Sequence, residues 1–137
     1  MALTHLVDTS VLTRLRNDAV RSVVEALASS GSLARAGITD LEIGYSARSA
    51  KEWDQSIDAL DAFELIETSA EHVRRARQVQ RLLAAKHQRG RKVPDLLIAA
   101  AAEANDLVVL HYDTDFDRIG AVTGQRVEWV VPAGSVD

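Results

Sequence analysis

Short apolar segments of strand length alternate along the chain with longer segments of helical periodicity. The strand-like segments are residues 3–7, 33–38, 65–66, 107–110 and 127–131. The segments that favour helix are residues 11–15, 20–27, 39–42 with the residues after them, 50–62, 70–87 and 93–104. This alternation is typical of βα units that build a largely parallel sheet.

Two of the predicted helices differ in how they should be buried. In residues 70–87 the apolar side chains recur on one face, which predicts the burial of Val73, Ala76, Val79, Leu82 and Leu83. Residues 96–104 are apolar on nearly every face, so this helix should be central. Pro94 stands in its first turn, where a missing N–H costs no hydrogen bond. A loop containing Gly120 and Gly124 is expected before the last strand.

These elements predict an α/β fold, namely a single-domain three-layer α/β/α sandwich with a mainly parallel five-stranded sheet. The domain is expected to span residues 1–137, because this length is close to that of one ordinary domain. The chain is 47% hydrophobic, which is enough for one core.

The composition excludes several kinds of site. The chain has no cysteine, so disulfide frameworks, zinc–thiolate sites and thiol nucleophiles are ruled out. No apolar run approaches the roughly 20 residues that span a bilayer, and residues 1–5 lack a signal-peptide layout. We therefore expect a soluble cytoplasmic protein. The net charge of −4, from 16 basic and 20 acidic residues, argues by itself against a nucleic-acid partner.

Acidic residues follow the predicted strands or open a helix beside them. They are Asp8 after the first strand, Glu42 one turn into the helix after the second, Asp95 at the start of the buried helix, and Asp113, Asp115 and Asp117 after the strand at 107–110. Because sites in open α/β sheets form at the carboxyl ends of the strands, we expect these carboxylates to meet at one edge.

Each acid also has an ordinary structural explanation. Asp8 could cap a helix, and Thr39 with Glu42 matches a capping box. Asp95 suits the positive end of a helix dipole, and Asp113 with its neighbours could form a solvated turn.

Taken together, the acids fit these explanations less well. Neighbouring carboxylates repel one another, and a fold tolerates such a cluster mainly when a divalent cation neutralises it. A ligand set of oxygen atoms without cysteine suits Mg²⁺, with Mn²⁺ as an alternative.

Four segments in this order resemble the successive acidic motifs of PIN-domain ribonucleases: LVDTS at 6–10, TDLE at 39–42, VPD at 93–95 and DTDFD at 113–117. More narrowly, the chain resembles the VapC toxins of bacterial toxin–antitoxin pairs over essentially its whole length. No single motif is specific, but the ordered set is.

The resemblance implies a metal-dependent endoribonuclease that hydrolyses RNA, either transfer or ribosomal RNA, leaving 5′-phosphate and 3′-hydroxyl ends. It implies catalytic roles for Asp8, Glu42, Asp95 and Asp113, and metal ligation by Asp8, Asp95, Asp113 and Asp115. The split among Asp113, Asp115 and Asp117 stays open. It also implies a homodimer that binds a VapB-like antitoxin as a heterotetramer or larger complex, with the antitoxin blocking the site.

Half of the basic residues fall between positions 72 and 94, where there is no acid. A strip of positive charge leading toward Asp95 would bind phosphates, and its candidate RNA-binding residues are Arg81, Lys86, Arg89, Arg91 and Lys92. The alternative is an ordinary solvated helix face followed by a loop.

Two other functions fit an acidic α/β domain. A receiver-type signalling domain would need a lysine after the strand at 107–110, and the lysines are Lys51, Lys86 and Lys92. A PIN-like module that binds RNA or protein without cutting is disfavoured because all four core acids are present. Among the histidines, only His111 lies near the proposed site, and a structural role is favoured for it. Thr9 and Ser10 are interpreted as caps or as donors to the acids.

Overall fold

The computed structural model describes residues 2–88 and 92–137. In this part of the chain five strands and seven helices follow one another. They are β1 (His5–Val7), α1 (Thr9–Leu12), α2 (Asp18–Ser29), β2 (Leu33–Ala36), α3 (Gly37–Tyr45), α4 (Ala50–Leu60), β3 (Glu64–Ile66), α5 (Ala70–Ala85), α6 (Val93–Ala104), β4 (Val108–His111), α7 (Asp115–Thr123) and β5 (Val127–Trp129).

The strands form one sheet in the order β3-β2-β1-β4-β5, and every pairing is parallel. Successive strand residues point to opposite faces. Leu6 and Val109 therefore join a core with α5, α6 and α7, whereas Val7 and Leu110 join a second core with α1 and α2. The predicted three-layer α/β/α sandwich is confirmed.

The predicted loop around Gly120 is wrong, because residues 115–123 form α7. Phe116 and Ile119 are fully buried on the inner face of this helix. At Gly120 a Cβ atom would lie 3.3 Å from a methyl group of Val127, so the close approach of α7 to β5 favours glycine. Gly124 ends the helix at φ +75°, a left-handed conformation that glycine adopts without strain.

The predicted buried face of α5 is partly wrong. Ala76, Val79 and Leu83 are buried as expected, but Val73 and Leu82 are exposed. His72 is buried instead, because its Nδ1 accepts a hydrogen bond from the backbone N–H of Ser69 in a capping box at the start of the helix.

The predicted strand at 33–38 ends at Ala36, and α3 begins at once with Gly37. Thr39 therefore lies inside α3, fully buried, and the capping-box explanation for Glu42 is wrong. Arg35, which is buried at the end of β2, fixes this junction. Its guanidinium donates to both carboxylate oxygens of Asp40 and to two backbone carbonyl groups near the end of α4.

No helix within residues 2–88 and 92–137 is long and apolar enough to cross a membrane.

Candidate active site

A cleft of about 580 Å³ opens at the carboxyl edge of the sheet. Four acids from four separate segments line it, as the sequence predicts: Asp8, Glu42, Asp95 and Asp113. Parallel pairing brings the ends of β1 and β4 side by side, and α3 and α6 pack together above them.

The two carboxylate oxygens of Asp8 differ in their hydrogen bonding. Oδ2 accepts the backbone N–H of Ser10 at 2.9 Å and so caps α1. Oδ1 is buried without a hydrogen-bond partner. Burial raises the pKa of Asp8 to about 6, against the hydrogen bonds from Ser10 and with the help of the charges of Glu42 and Asp113. The capping of α1 therefore accounts for Oδ2 of Asp8 but not for its buried Oδ1.

Asp95, Asp113 and Asp115 form a close acidic cluster, with one oxygen from each lying within 4.8 Å of the others. Asp95 is buried in the first turn of α6, and its Oδ2 has no hydrogen-bond partner. Burial raises the pKa of Asp95 to about 8, and the charges of Asp8 and Asp113 add to this shift while Lys92 opposes it. Asp113 Oδ1 accepts the backbone N–H of Asp115 at 2.9 Å, which fixes the turn into α7.

A hydrogen bond from Thr9 fixes the side chain of Glu42. The Thr9 hydroxyl donates to Glu42 Oε1 at 2.7 Å, and the hydroxyl of Ser10 accepts the backbone N–H of Tyr112 at 2.8 Å. The interpretation of Thr9 as a donor to the acids is confirmed. Ser10 supports Asp8 through its backbone N–H, and its hydroxyl ties α1 to the residue after β4.

His111 has a structural role at the end of β4, as expected, although it is fully buried rather than at the surface. Its Nδ1 accepts the backbone N–H of Asp113 at 3.2 Å. The ring packs between Phe116 and Trp129, at centroid distances of 5.1 and 4.9 Å. Burial lowers the pKa of His111, so the ring stays neutral and helps to hold Asp113 in place.

Asp117 stands apart from the acidic cluster. Both of its carboxylate oxygens accept the indole N–H of Trp129 at 3.2 Å. Asp115 contacts Arg118, whose NH1 lies 3.3 Å from its Oδ1. Of the three acids whose roles the sequence left open, the structure brings Asp113 and Asp115 together with Asp95 and places Asp117 against an aromatic ring.

The predicted RNA-binding residues fall into different settings. Lys92 lines the cleft, with its Nζ 3.6 Å from Asp113 Oδ2, and the charge of Asp113 raises its pKa. Arg81 and Lys86 are exposed at the C-terminal part of α5 and just after it. The predictions for Arg89 and Arg91 lie outside the described residues.

One basic residue between positions 72 and 94, Arg75, stabilises the packing of two helices. Arg75 donates to both carboxylate oxygens of Glu103 at 2.7 and 3.2 Å, which ties α5 to α6.

The cleft wall also contains residues that sequence reasoning missed, among them Arg14, Tyr112 and Trp129. Trp129 ends β5, and the rule that located the acids at the ends of strands also applies to it. Arg14 lies just beyond α1, and its guanidinium is 4.8 Å above the ring of Tyr112.

The acids fit a divalent cation. Two buried oxygens, Asp8 Oδ1 and Asp95 Oδ2, have no hydrogen-bond partner, and a buried polar atom left in this state is costly. A cation with oxygen ligands would satisfy them and would offset the repulsion that adds to the effect of burial on the pKa of Asp95.

Comparisons with known proteins agree with this geometry. The family model of the PIN domain matches residues 5–122. Ribonuclease VapC51 of Mycobacterium tuberculosis (strain ATCC 25618 / H37Rv) is 63% identical over 137 residues, which cover 100% of both chains. The crystal structure of VapBC2 from Rickettsia felis bound to a DNA fragment from their promoter is similar with a TM-score of 0.76 at 20% identity, covering 93% of this chain and 98% of that one. A toxin–antitoxin complex from Klebsiella pneumoniae is similar with a TM-score of 0.73 at 22% identity, with the same coverage. At such identities the structural likeness concerns the fold.

Proposed function

The chain belongs to the PIN domain family, and we propose that it is a divalent-metal-dependent endoribonuclease that acts as the toxin of a toxin–antitoxin pair. The observation that carries the proposal is the convergence of four carboxylates in one cleft, two of which keep a buried oxygen without a partner. The similarity to Ribonuclease VapC51 over the full chain supports RNA as the substrate.

Asp8, Asp95 and Asp113 would hold the cation, with Asp115 as a further ligand. Mg²⁺ is the expected ion and Mn²⁺ the alternative, because every donor is a carboxylate oxygen. Bound there, the cation would stabilise the negative charge that develops on the phosphate and on the leaving oxygen.

The other cleft residues position the reactants. Glu42, whose Oε1 is fixed by Thr9, leaves its second oxygen to accept a hydrogen bond from the attacking water. Lys92 places a positive charge beside Asp113, at the side from which an RNA phosphate would enter. The water oxygen would bond to phosphorus and lose one proton as the bond to the ribose 3′ oxygen breaks, and the 3′ oxygen would take up one proton, which would give 5′-phosphate and 3′-hydroxyl ends.

The RNA backbone would lie along α5. Arg74, Arg77 and Arg81 are exposed and share one face of this helix, because they are spaced by three and four residues. Lys86 and Lys92 extend the positive charge toward the cleft. Transfer and ribosomal RNA are the proposed substrate classes, since both present many phosphates to such a strip.

We expect the partner to be a VapB-like antitoxin that blocks the cleft, with the toxin as a homodimer in a heterotetramer or a larger complex. The support is the likeness of fold to VapBC2 from Rickettsia felis and to the toxin–antitoxin complex from Klebsiella pneumoniae.

Incubation of the purified protein with total bacterial RNA tests the proposed activity. Cleavage is expected with Mg²⁺ and should be lost in EDTA, in Asp8→Asn and in Asp95→Asn, while circular dichroism shows the folded state. Asp106→Asn is the matched control, because this carboxylate is exposed at the opposite edge of the sheet. Sequencing of the cut ends reports the end chemistry and the target. Cleavage that persists in EDTA would contradict the proposal.

A further inference from the structure

We propose that Trp129 is a stacking platform for an unpaired base of the RNA substrate, and that Asp117 is the residue that positions its ring. This inference rests on the proposed ribonuclease function and adds to it a residue that would bind the substrate and a residue that positions it. The observation behind it is an anchored indole in the wall of the acidic cleft.

Trp129 lies close to the acids in the fold. It ends β5, directly beside His111 at the end of β4. The His111 ring contacts the indole on one side, and its Nδ1 accepts the backbone N–H of Asp113. The His111 ring therefore links Trp129 to an acid of the cluster, and Trp129 and Asp113 line the same cleft.

The indole is fixed before RNA arrives. Its N–H donates to both oxygens of Asp117, and it meets the ring of Tyr112 edge-on, with an interplanar angle of 87° and a centroid distance of 5.3 Å. Tyr112 is itself anchored, because its hydroxyl donates to the carbonyl of Val136 at 2.7 Å and accepts the N–H of the same residue at 2.8 Å. Trp129 nevertheless stays partly exposed. A ring held in this way loses little conformational entropy when a base stacks on it.

A positive charge lies on the same wall. The guanidinium of Arg14 donates to the main-chain oxygens of Ser10 and Asp137 and sits over the Tyr112 ring. No carboxylate side chain within the described residues pairs with it. An aromatic face beside a cation is the combination that binds single-stranded nucleic acid, in which the base stacks and the cation contacts the backbone. This pairing favours RNA over an apolar peptide as the occupant.

The consequence for the substrate is a requirement for an unpaired base. A base inside a duplex is stacked on its neighbours and cannot reach a ring in the protein, whereas bases in loops can turn outward. The cleft therefore selects loops and single strands, which are available in folded RNA molecules of many sequences.

Fluorescence and binding measurements test the proposal. In a Trp53→Phe, Asp95→Asn background, Trp129 is the sole tryptophan and cleavage is prevented. With Mg²⁺ present, single-stranded decamers of uridine or adenosine are expected to quench its emission to saturation. The duplex formed by the two decamers should not quench this emission, and neither should a single-stranded abasic decamer. In the same Asp95→Asn background, but with Trp53 intact, Trp129→Leu should weaken binding of the single strands about 5- to 150-fold and leave binding of the abasic decamer unchanged. Trp53→Leu, the same replacement on α4, is the matched control.

Variants of Asp117 separate positioning from metal ligation. Asp117→Leu should weaken single-strand binding, and Asp117→Asn should restore it, because the amide oxygen still accepts the indole N–H. If Asp117→Asn instead abolishes cleavage of total RNA as Asp113→Asn does, Asp117 belongs to the metal site and its positioning role is refuted.

The outcomes distinguish this inference from the proposed function. If the native protein cleaves RNA while Trp129→Leu binds the single-stranded decamers as tightly as Trp53→Leu, the inference fails and the ribonuclease function stands. If the native protein does not cleave RNA, both fail. If Trp129→Leu leaves RNA binding intact but weakens binding of an antitoxin, the wall is a protein-binding surface and the inference is overturned.

Discussion

Raising the pH in the absence of divalent cations is expected to destabilise the protein through Asp95. Burial and the neighbouring acids raise the pKa of this carboxyl to about 8 in the folded state, against an ordinary value of 3.8. Between these two values the folded protein keeps a proton that the unfolded chain has lost. The free energy of unfolding therefore falls as the pH rises through this window.

The magnitude follows from the size of the shift. One bound proton changes the free energy of unfolding by about 1.4 kcal/mol per pH unit. From pH 5 to pH 8, Asp95 thus contributes a loss of about 4 kcal/mol, a large part of the total stability of a small domain. Asp8, with a pKa of about 6, adds a smaller loss that is complete about one pH unit above that value.

Urea unfolding followed by circular dichroism in EDTA measures this effect. The native protein should lose about 4 kcal/mol more than Asp95→Asn between pH 5 and pH 8, because asparagine has no proton to release. Mg²⁺ should restore the stability of the native protein at pH 8, since the cation binds the folded state. Equal pH slopes for the two proteins would refute the reasoning.

Three further predictions concern single contacts. Thr9→Val removes the hydroxyl that holds Glu42 and should slow cleavage about 10- to 100-fold with little change in melting temperature; an unchanged rate would show that this bond does not orient Glu42. Arg35→Met leaves the carboxylate of Asp40 without its cation and the carbonyl group of Phe63 without its guanidinium donor, while the carbonyl group of Leu60 keeps the N–H of Phe63, and a loss of about 3–5 kcal/mol is expected in urea unfolding. Arg81→Gln should lower the salt slope of RNA binding by about one, whereas Arg126→Gln, at the opposite edge of the sheet, should leave the slope as it is.

The position of the acids could be predicted because it follows from the strands alone. Parallel strands present their carboxyl ends at one edge, so Asp8 after β1 and Asp113 after β4 had to approach each other once the alternating pattern was recognised. Asp95 followed from the apolar helix that it opens, since a central helix begins beside the same edge. These inferences need no knowledge of side-chain packing.

Contacts between distant segments could not be predicted in this way. The acids at the start of α7 resemble a solvated turn, and only the packing of Phe116 and Ile119 shows that they begin a helix. The role of Asp117 depends on Trp129, which reaches it from the next strand. Likewise, the burial of His72 in place of Val73 depends on a hydrogen bond made by its ring, which hydrophobic periodicity does not register.

The formal charge of −4 counts every carboxyl group as ionised, including Asp95 in the cleft. With a pKa of about 8, Asp95 holds its proton at neutral pH in the metal-free protein, so the cleft is less negative than the sequence indicates. A cation with carboxylate ligands must displace that proton, and its affinity therefore increases with pH up to about 8. Calorimetric titration with Mg²⁺ at pH 7 in buffers of different ionisation enthalpy should show close to one proton released per protein. Asp95→Asn should release almost none, and release of the same number by this variant would mean that the proton comes from another group.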